Sequence, residues 1–448
     1  NILGYLGQIT NYLLKKYPEY QREDQIGITG VEKVYEKNLR GEKGVERRIV
    51  DVFGKYQGGF DGGRYDTLSK AGEDITLSVD IELQKYAENI MINKRGSIVA
   101  IEPSSGEILC LVSSPTYNPS LLIGNERGLN FRKLYLNPSK PLYDRSTSAL
   151  YPPGSIFKLI TALIALEEKK ITPGTLFNCN KGWNYKSILN IGCHQHKSPL
   201  NLRQAIAQSC NAYFCSTFDK IISVKKSTND GLDNWQQHAE SFGLGHYLNN
   251  DLYDGKTGFV PNSEYYDKMY GKNRWGASTC ISLGIGQDAL LMTPIQMANF
   301  TAIIANRGYY KIPHIVKKIN DSVKNIDSRF LEKKYCSIDS KYFSPVIYGM
   351  QTAIGGKYGT AKLGKLEGTI ICGKTGTAQN PHGDDHSIFI GFSPKINPQI
   401  AIAVYVENGG WGSDLAVPIG SLCVEKYMSK NVRRKKIENE ILNKKINY

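Results

Sequence analysis

Ser155 and Lys158, in the run Ser155-Ile156-Phe157-Lys158, have the types and spacing that speak most directly of chemistry. Residues three apart on a helix share a face, so this hydroxyl and amine can come within hydrogen-bond reach. A serine is a poor nucleophile at its free pKa, but a neutral lysine desolvated by neighbours such as Phe157 can take its proton. A helix N-terminus would add unpaired backbone N–H groups where an oxyanion develops. The same spacing also describes an ordinary solvated surface pair, so other residues must decide.

Two further motifs follow in order. Ser209-Cys210-Asn211 lies in a break between helical segments, and Lys374-Thr375-Gly376-Thr377 falls on an expected strand. Ser209 can relay a proton, Asn211 can hold a substrate amide, and Lys374 with Thr375 and Thr377 can clamp a carboxylate. Gly376 lets a substrate strand approach the backbone closely. The ordered set S-x-x-K, S-x-N, K-T-G is the signature of serine penicillin-recognising enzymes. A second K-T-G, Lys256-Thr257-Gly258, sits ahead of Pro261 with no strand pattern around it and reads as a turn. A rival reading is nucleotide binding, because Gly368 to Thr375 matches G-x-x-x-x-G-K-[ST] letter for letter. A true P-loop needs a flexible anion nest between its glycines and a helix starting at the lysine. Here Thr369, Ile370 and Ile371 favour a strand, and GTAQNPHGDD follows.

The elements that must position these groups are legible in outline. YPPG fixes the approach to a helix that starts near Ser155 and runs without a breaker to Glu168. Residues 73–91 read as a short strand and then a helix, and Ser97–Glu102 with Glu107–Ser113 as a hairpin around PSSG. Residues 171–205 hold turns and a Cys/His cluster, and LNLRQAIAQSCNAYFCSTFDKII then reads as a helix, a polar interruption and a second helix. Residues 290–308 read as a helix with a Thr-Pro start and a Gly stop. GTIICGKTGTAQ, DHSIFIGFSP and PQIAIAVYVEN read as adjacent antiparallel strands. Strands at both ends with helices between them imply one sheet assembled from distant segments, an α+β arrangement.

The motifs YPPGSIFK, SCNAYF, SLGIGQDALLMTPIQMA, GKTGTAQ and DHSIFIGFSP, with the N-terminal GYLGQIT and GITGVEKVYEKNLRGEKG, resemble those of class B penicillin-binding proteins of the cell-elongation type, penicillin-binding protein 2. The resemblance spans nearly the whole chain. It implies an α+β transpeptidase domain, a five-stranded antiparallel sheet with helices, at 71–448 with a basic C-terminal tail. Residues 1–70 would be the last part of a pedestal, dimerisation-like domain. It implies that Ser155 attacks the penultimate D-Ala carbonyl of a peptidoglycan stem peptide and passes the acyl group to a neighbouring amine. Lys158, Ser209, Asn211 and Lys374 would be catalytic and Thr375, Gly376 and Thr377 substrate-binding, with the N–H groups of Ser155 and Thr377 as oxyanion hole. β-Lactams would acylate Ser155, and a SEDS-family membrane glycosyltransferase is the implied partner. A β-lactamase or a non-catalytic β-lactam sensor is the alternative within the superfamily. The deacylating pattern E-x-x-L-N is missing between Ser209 and Lys374, its nearest imitation being Glu438 to Asn443.

Composition bounds the rest. With 448 residues, 41% hydrophobic, the chain is globular and long enough for two or three domains at about 100–200 residues each. No apolar run approaches the roughly 20 residues of a membrane span. The chain opens on Asn1 without a leader pattern, so a membrane anchor ahead of it and a periplasmic catalytic domain are the expectation. The net charge of +14 suits anionic partners such as a membrane surface; no nucleic-acid partner is expected. KNVRRKKIENEILNKK reads as a solvated helix or tail. Nine cysteines cannot all pair. Cys179, Cys193 and His196 lie in a turn-rich stretch and suit a structural zinc, with His194 and Cys210 competing for the fourth place. A Cys179–Cys193 disulfide or unpaired residues are the other readings, and no cofactor is expected for catalysis.

Overall fold

The apolar runs read as strands are continuous because the sheet they form is covered on both faces. In the computed structural model, which describes residues 2–185, 189–223, 227–252 and 254–446, chain order gives α1 (Ile81–Ile90), β1 (Gly96–Ile101), β2 (Ile108–Ser114) and α2 (Lys158–Glu167). Then come β3 (Gly182–Tyr185), β4 (Leu189–Gly192), α3 (Leu202–Ala207), α4 (Asn211–Ile222), α5 (Pro294–Ala305) and α6 (Phe343–Gly355). The chain closes with β5 (Cys372–Ala378), β6 (His386–Ser393), β7 (Ile400–Val406), α7 (Ala416–Ser429) and α8 (Lys435–Asn443). Asn1 lies outside the described residues.

The five-stranded sheet has the order β5-β6-β7-β1-β2, every neighbouring pair antiparallel. Side chains alternate between faces with period two. Val99, Ile101, Ala401, Ala403 and Tyr405 enter one core with α2, α4, α5 and α6, while Ile98, Ala100, Ile402, Val404 and Val406 enter the other with α1 and α7. The fold is therefore the sandwiched antiparallel sheet that the resemblance implies.

Helix α2 is the buried axis of the larger core. Leu159, Ile160, Leu163, Ile164 and Leu166 are all at or near zero exposure. Each such burial contributes roughly 1.5–3 kcal/mol, and Ile156 of the preceding turn is buried in the same core, so turn and helix are fixed together. Helix α5 starts as its Thr-Pro signal predicts: Thr293 and Gln296 form a capping box with Pro294 in the first turn.

Within residues 171–205, besides turns, β3 and β4 form a short antiparallel hairpin that the sequence reading does not include. Four-residue strands with alternating burial leave little periodic signal. The basic C-terminal stretch is also not fully solvated. Helix α8 buries Ile441 and packs Ile437 and Leu442 against the α1/α7 core while its lysines face water.

The N-terminal region meets this body at several points, among them Tyr5, which packs against Phe131 with Arg127 over its ring. Strand Ile75–Leu77 pairs with Val316–Ile319, and Tyr35 Oη donates to Asp251 Oδ2 at 2.8 Å. Among the described residues no helix is long and apolar enough to cross a membrane.

Candidate active site

Ser155 sits in a single 3-10 turn, Gly154–Ile156, that feeds directly into α2. The turn depends on Gly154, which has φ +57° and whose N–H donates to Gly286 O at 2.8 Å. A Cβ here would lie 2.6 Å from Thr377 O, so glycine is required both for the left-handed backbone and for the close approach to β5. That approach sets the backbone around Ser155 beside Thr377. Ser155 faces a cleft, while Lys158, one turn later, is completely buried.

Ser209 owes its position to a helix ending. Its N–H donates to Ile206 O (3.2 Å) and that of Cys210 to Ala205 O (3.1 Å), the two bonds of a Schellman termination of α3. The residue at this position must be left-handed, and Ser209 has φ +54° where glycine is usual. Helix α4 begins immediately at Asn211, with Cys210 Sγ capping the Tyr213 N–H at 3.3 Å.

The three motifs converge on Ser209. Lys158 Nζ donates to Ser209 Oγ (3.2 Å), Ser209 O (2.8 Å) and Asn211 Oδ1 (2.6 Å). Lys374 Nζ, from the middle of β5, donates to the same Oγ at 2.8 Å and to Thr375 O at 2.8 Å. A serine hydroxyl has two acceptor lone pairs and one donor. Both lysines occupy the lone pairs, leaving the Ser209 proton to point elsewhere. Lys158 thus shares the site with Ser155 but bonds to Ser209 and Asn211; among the described residues no hydrogen bond reaches Ser155 Oγ.

Electrostatics follow from burial. Desolvation pulls the Lys158 pKa down to about 8. Lys374 is pushed well below its usual range by the same cause and then by the charge of Lys158. Among the described residues neither lysine pairs with a carboxylate, and buried cations without a counter-ion favour either deprotonation or an incoming anion.

The cleft, about 830 Å³, is lined by Ser155, Ser209, Asn211, Thr375, Gly376 and Thr377 among others. Motif reading missed Thr360, whose Oγ1 lies 3.0 Å from Thr375 Oγ1, and Gln287, whose Nε2 donates to Thr377 O at 3.5 Å. Both come from loops and belong to none of the three motifs. The other K-T-G is elsewhere: Lys256 is exposed in an irregular loop, its N–H on Thr147 O. The P-loop reading fails, since Lys374 is inside a strand and no helix starts there.

The cysteine cluster lies behind Asn211. Donor atoms of Cys179, Cys193, His196 and Cys210 all lie within 4.8 Å of one another, so Cys210 and not His194 completes the set. Cys179 and Cys193 are both free thiols. A Cys₃His set suits a tetrahedral Zn²⁺, and the outer contacts agree. His196 Nδ1 lies 2.7 Å from Lys197 O, which leaves Nε2 for an ion, and the Asn211 N–H donates to Cys193 Sγ at 3.3 Å. The Cys193 thiol is held far below its usual range, first by Cys210 and then by His194, the Asn211 N–H and His196.

Residues 96–424 match the penicillin-binding protein transpeptidase domain, and residues 1–77 match the penicillin-binding protein dimerisation domain. The chain belongs to the penicillin-binding protein family. It is class B and PBP2-like, its relatives including several MrdA proteins and its structural neighbours including several PBP2 structures. The peptidoglycan D,D-transpeptidase MrdA of Acinetobacter baumannii is 32% identical over 94% of this chain and 64% of its own length. This penicillin-binding protein chain thus spans just under two thirds of that relative. Pseudomonas aeruginosa PBP2, solved in complex with WCK 5153, superposes with a TM-score of 0.82 at 31% identity, covering 97% of this chain and 90% of that one. PBP2 of Helicobacter pylori, solved in complex with MreC, gives 0.83 at 27% identity, covering 95% and 76%.

Proposed function

We propose that this chain carries the acyl-transfer site of a peptidoglycan D,D-transpeptidase that works through an acyl-enzyme on Ser155. The observation that carries the reading is the chain Lys158, Ser209 Oγ, Lys374: two buried lysines meeting on one hydroxyl beside a cleft-facing serine.

Neutral Lys158 takes the Ser155 proton as Oγ bonds to the penultimate D-Ala carbonyl carbon of a stem peptide. Backbone N–H groups of Ser155 and Thr377 stabilise the oxyanion. As the C–N bond breaks, the Ser209 hydroxyl hands its proton to the departing D-Ala amine and is reprotonated from a neighbouring lysine. The carboxylate of the leaving D-Ala lies against Thr375 and Thr377, where it supplies the counter-charge that Lys374 lacks, and Asn211 Nδ2 orients the donor amide. Attack by an amine of a second stem peptide releases the cross-linked product. A β-lactam presents the same carbonyl and carboxylate and stalls at the acyl-enzyme. A β-lactamase would need a carboxylate base poised over the ester, and E-x-x-L-N is missing between Ser209 and Lys374.

The same reading includes a structural zinc on Cys179, Cys193, His196 and Cys210, a boundary near residue 70 between pedestal and transpeptidase domains, and a periplasmic, membrane-anchored setting. A SEDS-family glycosyltransferase and an MreC-like scaffold are its assembly partners. Intact-mass analysis after incubation with benzylpenicillin tests the core of it. A single adduct on Ser155, absent from Ser155→Ala, is expected; an adduct that persists in that variant rejects the assignment.

A further inference from the structure

We propose that Ser337, His238 and Glu168 form a second nucleophilic serine site, remote from Ser155, that cleaves short-chain acyl esters. The site is independent of the transpeptidase reading.

The three side chains come from three segments that meet at the tail of α2. Glu168 caps that helix, His238 lies in the last turn of the helix Thr228–Glu240, and Ser337 follows the short strand Lys334–Tyr335. At about 1.5 Å per helical residue, Ser155 at the head of α2 and Glu168 at its tail are roughly 20 Å apart.

The imidazole bridges the other two groups. His238 Nδ1 lies 2.7 Å from Ser337 Oγ, and Nε2 lies 3.2 Å from Glu168 Oε1. Glu168 Oε1 also accepts from Asn234 Nδ2 at 3.1 Å, which aims the carboxylate. A nucleophile bonded to a base, with the base oriented by a third group, is the arrangement that activates a serine. Ser337 is exposed, whereas the side chains of His238 and Glu168 are only 15% and 17% exposed.

Neighbouring bonds decide where the protons sit. Ser241 Oγ donates its one proton to His238 O (2.6 Å) and accepts the Ser337 N–H (3.1 Å). Toward Ser337 Oγ, 3.0 Å away, it can therefore only accept. A carboxylate only accepts, so neutral His238 carries its proton on Nε2, facing Glu168. Nδ1 then presents a lone pair to Ser337, whose hydroxyl donates to it. That is the protonation state of a general base beside its nucleophile. When the ring is protonated, the Ser337 proton turns to Ser241 Oγ instead.

The backbone is fixed on both sides of the serine. The Cys336 N–H donates to Gly308 O (2.9 Å) and the Asp339 N–H to Glu167 Oε2 (2.7 Å). The N–H of Ile338, directly after the serine, makes no hydrogen bond among the described residues and can serve an oxyanion. In the reaction, Ser337 Oγ bonds to the ester carbonyl carbon as its proton passes to His238 Nδ1. The ester C–O bond breaks and the alcohol leaves with that proton. Water then attacks the acyl-serine and gives a proton to Nδ1, and the carboxylic acid departs as Ser337 recovers the proton. Because Ser337 is exposed rather than sunk in a cleft, nothing encloses a long acyl chain, and the acyl group is acetyl-sized.

The test uses the full chain carrying Ser155→Ala and 4-nitrophenyl acetate as substrate. Release of 4-nitrophenolate should fall at least about tenfold on adding either Ser337→Ala or His238→Gln, and by a smaller factor on adding Glu168→Gln. Mass mapping of acid-quenched samples should place the acetyl group on Ser337. Release that survives Ser337→Ala, or an acetyl group found only elsewhere, overturns the site. Release undiminished by His238→Gln overturns it equally, since the serine then reacts without its base. Ser337→Ala, at an exposed position, should keep the circular dichroism spectrum and melting temperature of the parent, so its result decides even where His238→Gln fails to fold.

Discussion

Lys158 and Lys374 converge on one atom, donating to Ser209 Oγ at 3.2 and 2.8 Å from a helix and a strand that the chain order separates widely. Two ammonium groups sharing one acceptor repel each other, so the pair favours a single positive charge until an anion arrives. That makes one lysine a base in the free protein and leaves the other to meet a carboxylate.

The first consequence is a pH profile. Lys158 must be neutral to accept the Ser155 proton, and burial places its pKa at about 8. Acylation by a β-lactam should therefore rise about tenfold per pH unit below that value and level off above it. Lys158→Arg keeps a charge that never leaves, so it should lower the plateau by at least about a hundredfold. Second-order acylation rates between pH 6 and 9 check both, and a flat wild-type profile would remove Lys158 from the role of base.

Ser209 offers a separation of stability from chemistry. Its left-handed backbone costs a non-glycine residue roughly 1–2 kcal/mol. Ser209→Gly and Ser209→Ala both delete the shared hydroxyl, and both should slow acylation by about two to four orders of magnitude. Only the glycine relieves the backbone, so it should unfold at higher denaturant than the alanine variant, by about 1 kcal/mol. Equal stabilities would mean the loop relaxes in the variants.

The two K-T-G runs can be told apart by function. Lys374→Ala should reduce acylation by about two orders of magnitude or more, since the buried site loses its anion partner. Lys256→Ala, in an exposed loop, should stay within twofold of wild type. The same acylation assay reads both.

Zinc binding should show first in stability. A closed four-donor site leaves no open position for water, so it holds structure and performs no hydrolysis. Elemental analysis should find about one zinc per chain, and chelation should lower the melting temperature and raise hydrogen exchange in β3 and β4. Acylation should fall only as Asn211 loses its bond to Gly192 O (2.7 Å). A zinc content below about 0.2 per chain, with Cys179 and Cys193 oxidised to each other, would replace the metal with a disulfide.

The sequence by itself singled out Ser155 as the candidate nucleophile, the two motif lysines, the helix that follows Ser155 and the strands of the sheet. These are local matters: a Pro-Pro-Gly approach, a breaker-free apolar run and β-branched segments each act within a few residues. It also narrowed the metal donors to a few cysteines and histidines in one stretch. Only tertiary structure decided that Lys158 bonds to Ser209 and Asn211, that Cys210 completes the cluster, and that Thr360 and Gln287 border the cleft. Each of these depends on segments brought together by the closing of the five-stranded sheet and by the abrupt junction of α3 and α4. No residue's type or spacing carries that information, because such contacts are fixed by how whole elements bury their apolar faces rather than by local propensity.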